Sequence, residues 1–146
     1  MKNHSSRSEI LKVSAELKVR LETAGRKEQV AVGRVLFRED DQCAGIYLLC
    51  SGKVRMSVHD LPHLDRDFGA SCVLGLPSSF TGRPYSLTAV TLAETEFVHV
   101  EREPFLQLMR ERPDLCREAT DILGKEVTFI QSALAEHHRR FAAIAG

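Results

Sequence analysis

Neither sign of charge prevails in this 146-residue chain: Lys and Arg together number 20, and so do Asp and Glu. No overall field therefore draws it to nucleic acid or to an anionic membrane. No uninterrupted apolar run approaches the roughly 20 residues that span a bilayer. Residues 1–7 lead into an amphipathic stretch, not into the apolar core of a signal peptide. A cytoplasmic location without a membrane partner is expected. The four cysteines, Cys43, Cys50, Cys72 and Cys116, form neither a C-x-x-C pair nor a zinc-finger spacing. In a reducing compartment they are expected to be small buried hydrophobes. Gly75-x-x-Ser78 is not the G-x-S-x-G of a nucleophile elbow, and the glycines compose neither a P-loop nor a dinucleotide fingerprint. His59 and His63 come nearest to a metal pair, but Pro62 opposes the helix that would place both imidazoles on one face. His99 falls in a strand and reads as a satisfied barrel residue. No metal, cofactor or catalytic residue is expected, and the chain does not read as an enzyme.

What is present suffices for one domain, residues 1–146. Hydrophobic residues at 43% and charged residues at 27% are ordinary for a globular protein of this size. Residues 6–25 predict an N-terminal helix: Ser6-x-x-Glu9 fits a capping box, Ile10, Val13, Leu17 and Leu21 recur at helical spacing, and Gly25 stops the run. Over residues 28–101 the period becomes two. Val30 and Val32, then Val35–Phe37, Ile46–Cys50, Val54–Val58, Leu87–Thr91 and Phe97–Val100 read as short strands parted by Gly, Asp and Ser, the pattern of a β-barrel. Ile46–Cys50 is apolar on both faces. His59–Ser71 reads as irregular, and Leu74–Phe80 as a loop or short helical turn. Residues 103–112 predict a short helix ending before Pro113, with Asp114 placed to cap the next.

The last helix, residues 114–144, is about 45 Å long at 1.5 Å per residue. Leu123, Val127, Ile130, Leu134, His137, Phe141 and Ile144 follow one another at alternating steps of four and three, a heptad seam. A small barrel cannot cover that whole stripe, so a parallel homodimer through Leu123, Val127, Ile130, Leu134 and Phe141 is expected. The alternative is a helix folded back on its own barrel.

Gly33-Arg34-Val35-Leu36-Phe37-Arg38-Glu39-Asp40-Asp41 and Gly45 through Val54 resemble the G-x-x-L-F-x-x-G-[DE] and Y-x-x-x-x-G-x-V blocks of the cyclic-nucleotide-binding domain. The likeness runs on through Leu74-Gly75-Leu76, Arg83 to Ala89, Phe105 to Leu108 and the last helix, covering nearly the whole chain. It is similar to the sensor half of the catabolite-activator and fumarate–nitrate-regulator (Crp/Fnr) superfamily. That resemblance implies a mainly β fold with flanking helices: a jelly-roll, double-stranded β-helix barrel between an N-terminal helix and a long C-terminal dimerisation helix.

The resemblance also implies a ligand site at Gly75, Leu76, Pro77, Ser78, Arg83, Tyr85, Ser86 and Thr88. There the family's phosphate-binding cassette carries a Glu for the ribose hydroxyl and an Arg for the cyclic phosphate. Leu76 and Tyr85 fall at those two positions, removing both charge-assisted contacts. Arg83 lies near enough to substitute, though Gly82-Arg83-Pro84 also reads as an exposed turn. Asp40 replaces a turn glycine, which Asp tolerates in the left-handed region. The superfamily's winged helix-turn-helix does not follow before Gly146, so no direct nucleic-acid binding is expected; His137–Arg140 reads as a solvated helix end. The leading function is therefore an effector-sensing regulatory domain with a degenerate cyclic-nucleotide pocket, taking a nucleotide-like or different small molecule, or none. The alternatives are an interaction and dimerisation module without a ligand, and a cupin-like metalloprotein.

Overall fold

The computed structural model describes the backbone of residues 9–145 and the side chains of residues 10–135 apart from 63, 129 and 133. Its first departure from the sequence reading comes at once. In place of one helix over residues 6–25 the chain makes a 3₁₀ turn, Glu9–Leu11, and then helix α1, Ala15–Ala24; Ser6 lies outside the described residues. The interruption is a long-range pairing: Lys12 bridges Cys72, and the Val13 amide donates to the Ser71 carbonyl at 2.9 Å. These bonds hold residues 12–13 extended. Ser14 then opens α1 as a true cap, its hydroxyl accepting from the Leu17 amide.

The barrel consists of two antiparallel four-stranded sheets. The strands are β1, Arg26–Val30; β2, Val35–Phe37; β3, Ile46–Ser51; β4, Val54–Ser57; β5, Arg66–Phe68; β6, Val73–Leu74; β7, Thr88–Thr91; and β8, Thr95–Val100. They are ordered β1-β8-β3-β6 and β2-β7-β4-β5. This is the jelly-roll barrel with flanking helices that the sequence predicts. Ile46, Tyr47, Leu48 and Leu49 on β3 are all buried, as a strand apolar on both faces requires. Strand β5 lies in the stretch expected to be irregular. Three residues are too few to show a period, but Arg55 and Asp67 are register partners across β4 and β5 and join in a bidentate pair at 2.8 and 3.1 Å. Of the cysteines only Cys72 is fully buried; Cys43, in the loop before β3, Cys50, at the β3 irregularity, and Cys116, in the last helix, are half-exposed.

Helix α2, Leu76–Thr81, lies between β6 and β7, and α3, Arg102–Glu111, precedes α4, Pro113–Ala145. Pro113 takes the first position of α4, where its missing N–H costs nothing. Asp114 therefore lies inside the first turn and does not cap it. Its carboxylate is held by the Arg112 guanidinium at 3.0 and 2.7 Å. Arg112 also pairs with Glu16, while Glu118 accepts from both the amide and the hydroxyl of Ser14 at 2.7 Å. The start of α4 is thereby tied to the start of α1.

Gly45 has φ +117, and a Cβ there would stand 2.1 Å from the Val100 carbonyl oxygen. Gly124, inside α4, has nothing within 4 Å of its missing Cβ. Gly45→Ala is expected to destabilise by more than about 3 kcal/mol, because strained backbone and overlap add. Gly124→Ala is expected to stabilise by about 1 kcal/mol through helix propensity. Denaturant unfolding of the two variants checks both signs.

Candidate functional site

The segment from Gly75 to Leu87 is a loop built around a helix of six residues. Gly75 precedes α2 in the left-handed region at φ 93, and Gly82 closes it at φ 78. Arg102 secures the helix by donating from Nε to the Ser79 carbonyl at 2.9 Å. The Ser78 hydroxyl donates to the Pro84 carbonyl at 3.1 Å, folding the loop back on itself. Gly75, Pro77, Ser78, Tyr85 and Ser86 come together around one cavity, with Phe37, Met56, Leu87 and Glu126. Leu76 is buried in the core beside it. Thr88, on β7, instead accepts from the Glu39 amide at 2.9 Å. Arg83 is exposed on the turn after α2, its amide bonded to the Thr81 hydroxyl, and it does not line the cavity.

Tyr85 decides what this cavity can hold. Its ring stacks on Phe37 at 4.1 Å between centroids. Its hydroxyl donates to the Gly45 carbonyl at 2.7 Å and accepts from the Ala44 amide at 2.9 Å. Burial pushes the phenol well above its ordinary pKa, so it stays a neutral donor. The backbone is fixed as well: the Tyr85 amide donates to the Asp41 carbonyl at 3.0 Å, and the Asp40 amide to the Tyr85 carbonyl at 2.8 Å. Asp40 adopts φ 71, the left-handed turn that its sequence position allows. About 10 Å³ of space remains in the cavity, close to the minimum for one water.

Glu126 is the buried cavity-lining side chain that sequence reading missed. The barrel-facing stripe of α4 is Leu115, Ala119, Ile122 and Glu126, all buried. The expected seam residues divide: Leu123 packs against the core and Ile130 lines a void between α4 and the barrel, both half-buried, whereas Leu134 is half-buried and Val127 is 38% exposed. Phe141 lies outside the side chains described. Glu126 is 4% exposed, and its Oε1 has no hydrogen-bond partner among the described residues. Burial pushes its carboxyl up to about 7. Besides the cavity at Tyr85 it lines a second, almost wholly apolar void of about 40 Å³ under α4.

His99 is satisfied in the barrel wall, its ring stacked on Tyr47 at 4.6 Å and Nε2 at 2.8 Å from the Ala44 carbonyl. Among the described residues no cluster of His, Cys, Asp and Glu has the form of a metal site. No described helix is long and apolar enough to cross a membrane.

Residues 27–112, more than half of the chain, match the family model of the cyclic nucleotide-binding domain. The chain belongs to that family. Over 100 residues this cyclic nucleotide-binding domain is 31% identical to the lysophospholipase nte1 of Neurospora crassa, a match covering 66% of this chain and 6% of that protein. The chain thus spans a small fraction of the curated relative it matches. Two solved structures share the fold. The catabolite activator protein of Thermus thermophilus superposes with a TM-score of 0.61 at 21% identity, over 91% of this chain and 61% of that one. The c-di-GMP-responsive global regulator CLP of Xanthomonas campestris gives 0.70 at 17%, over 86% and 64%.

Two outcomes follow from the geometry of this cyclic nucleotide-binding domain. Tyr85→Phe keeps the ring but leaves the Ala44 N–H and Gly45 carbonyl without their partner, and is expected to cost about 1–3 kcal/mol in denaturant unfolding. Folded Glu126 holds its proton to about pH 7, whereas the unfolded chain releases it near 4.5. Stability must therefore fall as pH rises through that window, by on the order of 3 kcal/mol in all. Glu126→Gln is expected to remove that part of the fall, so the variant gains on wild type steadily between the two pH values when unfolding is followed at each.

Proposed function

We propose that this chain is a non-catalytic, effector-sensing regulatory domain whose nucleotide pocket has been rebuilt, acting in the cytoplasm as a homodimer through α4. The observation that carries the reading is the Tyr85 hydroxyl bonded to Gly45 and Ala44, with the ring on Phe37. At a place where the fold offers a phosphate an arginine, this domain puts a neutral, buried and fully used phenol. Leu76, at the position of the ribose-binding carboxylate, is likewise buried. A cyclic nucleotide would have to break two hydrogen bonds and find no charge in exchange. The effector is therefore a different small molecule. Its effect passes through α4, because that helix contributes Glu126 to the cavity walls and carries the exposed Val127 and half-buried Leu134 on the face one position round. The domain's output is a change in that helix and not a contact with nucleic acid.

The narrowness of the Tyr85 cavity, about 10 Å³, also favours a second reading, an interaction and dimerisation module that takes no small molecule. Calorimetry addresses the nucleotide first: neither cyclic AMP nor cyclic GMP is expected to give binding heat at millimolar concentration, and micromolar affinity would contradict the reading. For the dimer, sedimentation of the wild type is expected to show two copies, with Val127→Glu and Leu134→Glu shifting it to one. A wild type that stays monomeric at high concentration removes the seam from the account.

A further inference from the structure

Glu126 is a costly residue as it stands. A buried carboxyl whose Oε1 lacks a partner among the described residues carries a desolvation penalty in either protonation state, larger when charged. The void beside it costs stability too, since its walls lose the contacts that a filled core would make. Both defects occur at one place. Ile10, Met56, Val58, Leu64, Phe68 and Leu87 make the void apolar, and Glu126 supplies its carboxyl. Arg66, the other charged residue lining it, directs Nη1 to the Asp65 carbonyl at 2.6 Å and makes no ion pair with Glu126. A packed core would place Leu or Met at position 126, on the stripe that carries Leu115, Ala119 and Ile122.

We propose that Glu126 anchors the effector, and that the effector is a small molecule with a short apolar body and a cationic amine or similar charged N–H donor. The apolar body fills the void between α4 and strands β4 and β5, and the ammonium pairs with the carboxylate. This rests on the reading of the chain as an effector sensor and adds the ligand's chemical class. At about 40 Å³ the void takes about three or four heavy atoms, so the recognised group is a short alkylammonium or the end of a longer amine. Because Glu126 is adjacent in sequence to Val127, occupancy of the void bears directly on the seam face of α4.

The test is a methyl-resolved NMR titration of the full chain at pH 8 with n-butylammonium, n-butanol and butyrate, which share one alkyl chain. Saturable shifts at Ile10, Val58 and Leu87 are expected from butylammonium at a concentration at least ten times lower than from butanol. Glu126→Gln is expected to abolish that preference. Leu87→Phe, which fills the void and keeps the carboxyl, is expected to abolish binding, so a poorly folding Glu126 variant does not decide the matter alone. Equal responses to amine and alcohol, or no saturable response, would overturn the proposal. Preference for butyrate would also overturn it, by making Arg66 the anchor. Failure of the broader reading has a separate signature, micromolar binding of cyclic AMP.

Discussion

Two hydrogen bonds at one phenol hydroxyl, one donated and one accepted, hold one end of this barrel together. Tyr85 reaches from the segment entering β7 to the Ala44 amide and Gly45 carbonyl at the start of β3, which belongs to the other sheet. That bond pair works only because Gly45 can adopt φ +117 with its Cα against the Val100 carbonyl. The Tyr85 backbone meanwhile fixes the Asp40–Asp41 turn, and its ring stacks on Phe37 of β2. The connection between β2 and β3 is thus pinned to the segment entering β7 by one residue, through its backbone at Asp40–Asp41 and its hydroxyl at Ala44–Gly45. Tyr85 is part of the core.

The consequence for recognition is a transfer of polarity. Tyr85 and Leu76 are buried and neutral, and the buried carboxyl whose Oε1 lacks a hydrogen-bond partner among the described residues lies on α4. A site organised around Glu126 selects for a donor of positive charge, the reverse of what a phosphate requires. The same helix exposes Val127 and half-exposes Leu134 one position round, the residues on which the proposed dimer rests. In the proposed reading recognition and assembly fall on adjacent faces of one helix, with the tie between Arg112, Asp114, Glu16, Ser14 and Glu118 holding its other end to α1. A helix fixed at one end and contacted by a ligand further along is a lever with a defined pivot.

Much of this was legible in the sequence where the signal is local or repeated. The period of two, the glycine breaks, the two-sided strand at Ile46–Leu49 and the long last helix all survive as elements because each is set by its own residues. That Leu76 and Tyr85 carry no charge was also legible, and the structure buries both. What failed to show were long-range effects. Nothing around Ser6–Glu9 announces that Lys12 and Val13 will pair with Cys72 and Ser71 and break the helix. Strand β5 is set by its partner β4 and not by a period of its own. Glu126 stayed hidden because the seam spacing drew attention to Leu123 and Val127, and a lone Glu beside a heptad stripe reads as solvated surface. The barrel-facing stripe 115–119–122–126 has the same spacing, which could have exposed the anomaly.

The central claim, that the Tyr85 hydroxyl is a permanent part of the core and not a gate, is tested most directly by native-state hydrogen exchange at the Ala44 amide, with and without millimolar cyclic AMP. The account requires that amide, bonded to the Tyr85 oxygen at 2.9 Å, to exchange only as the whole domain unfolds, at a rate the nucleotide does not change. Exchange through a local opening, or a rate altered by cyclic AMP, would contradict it.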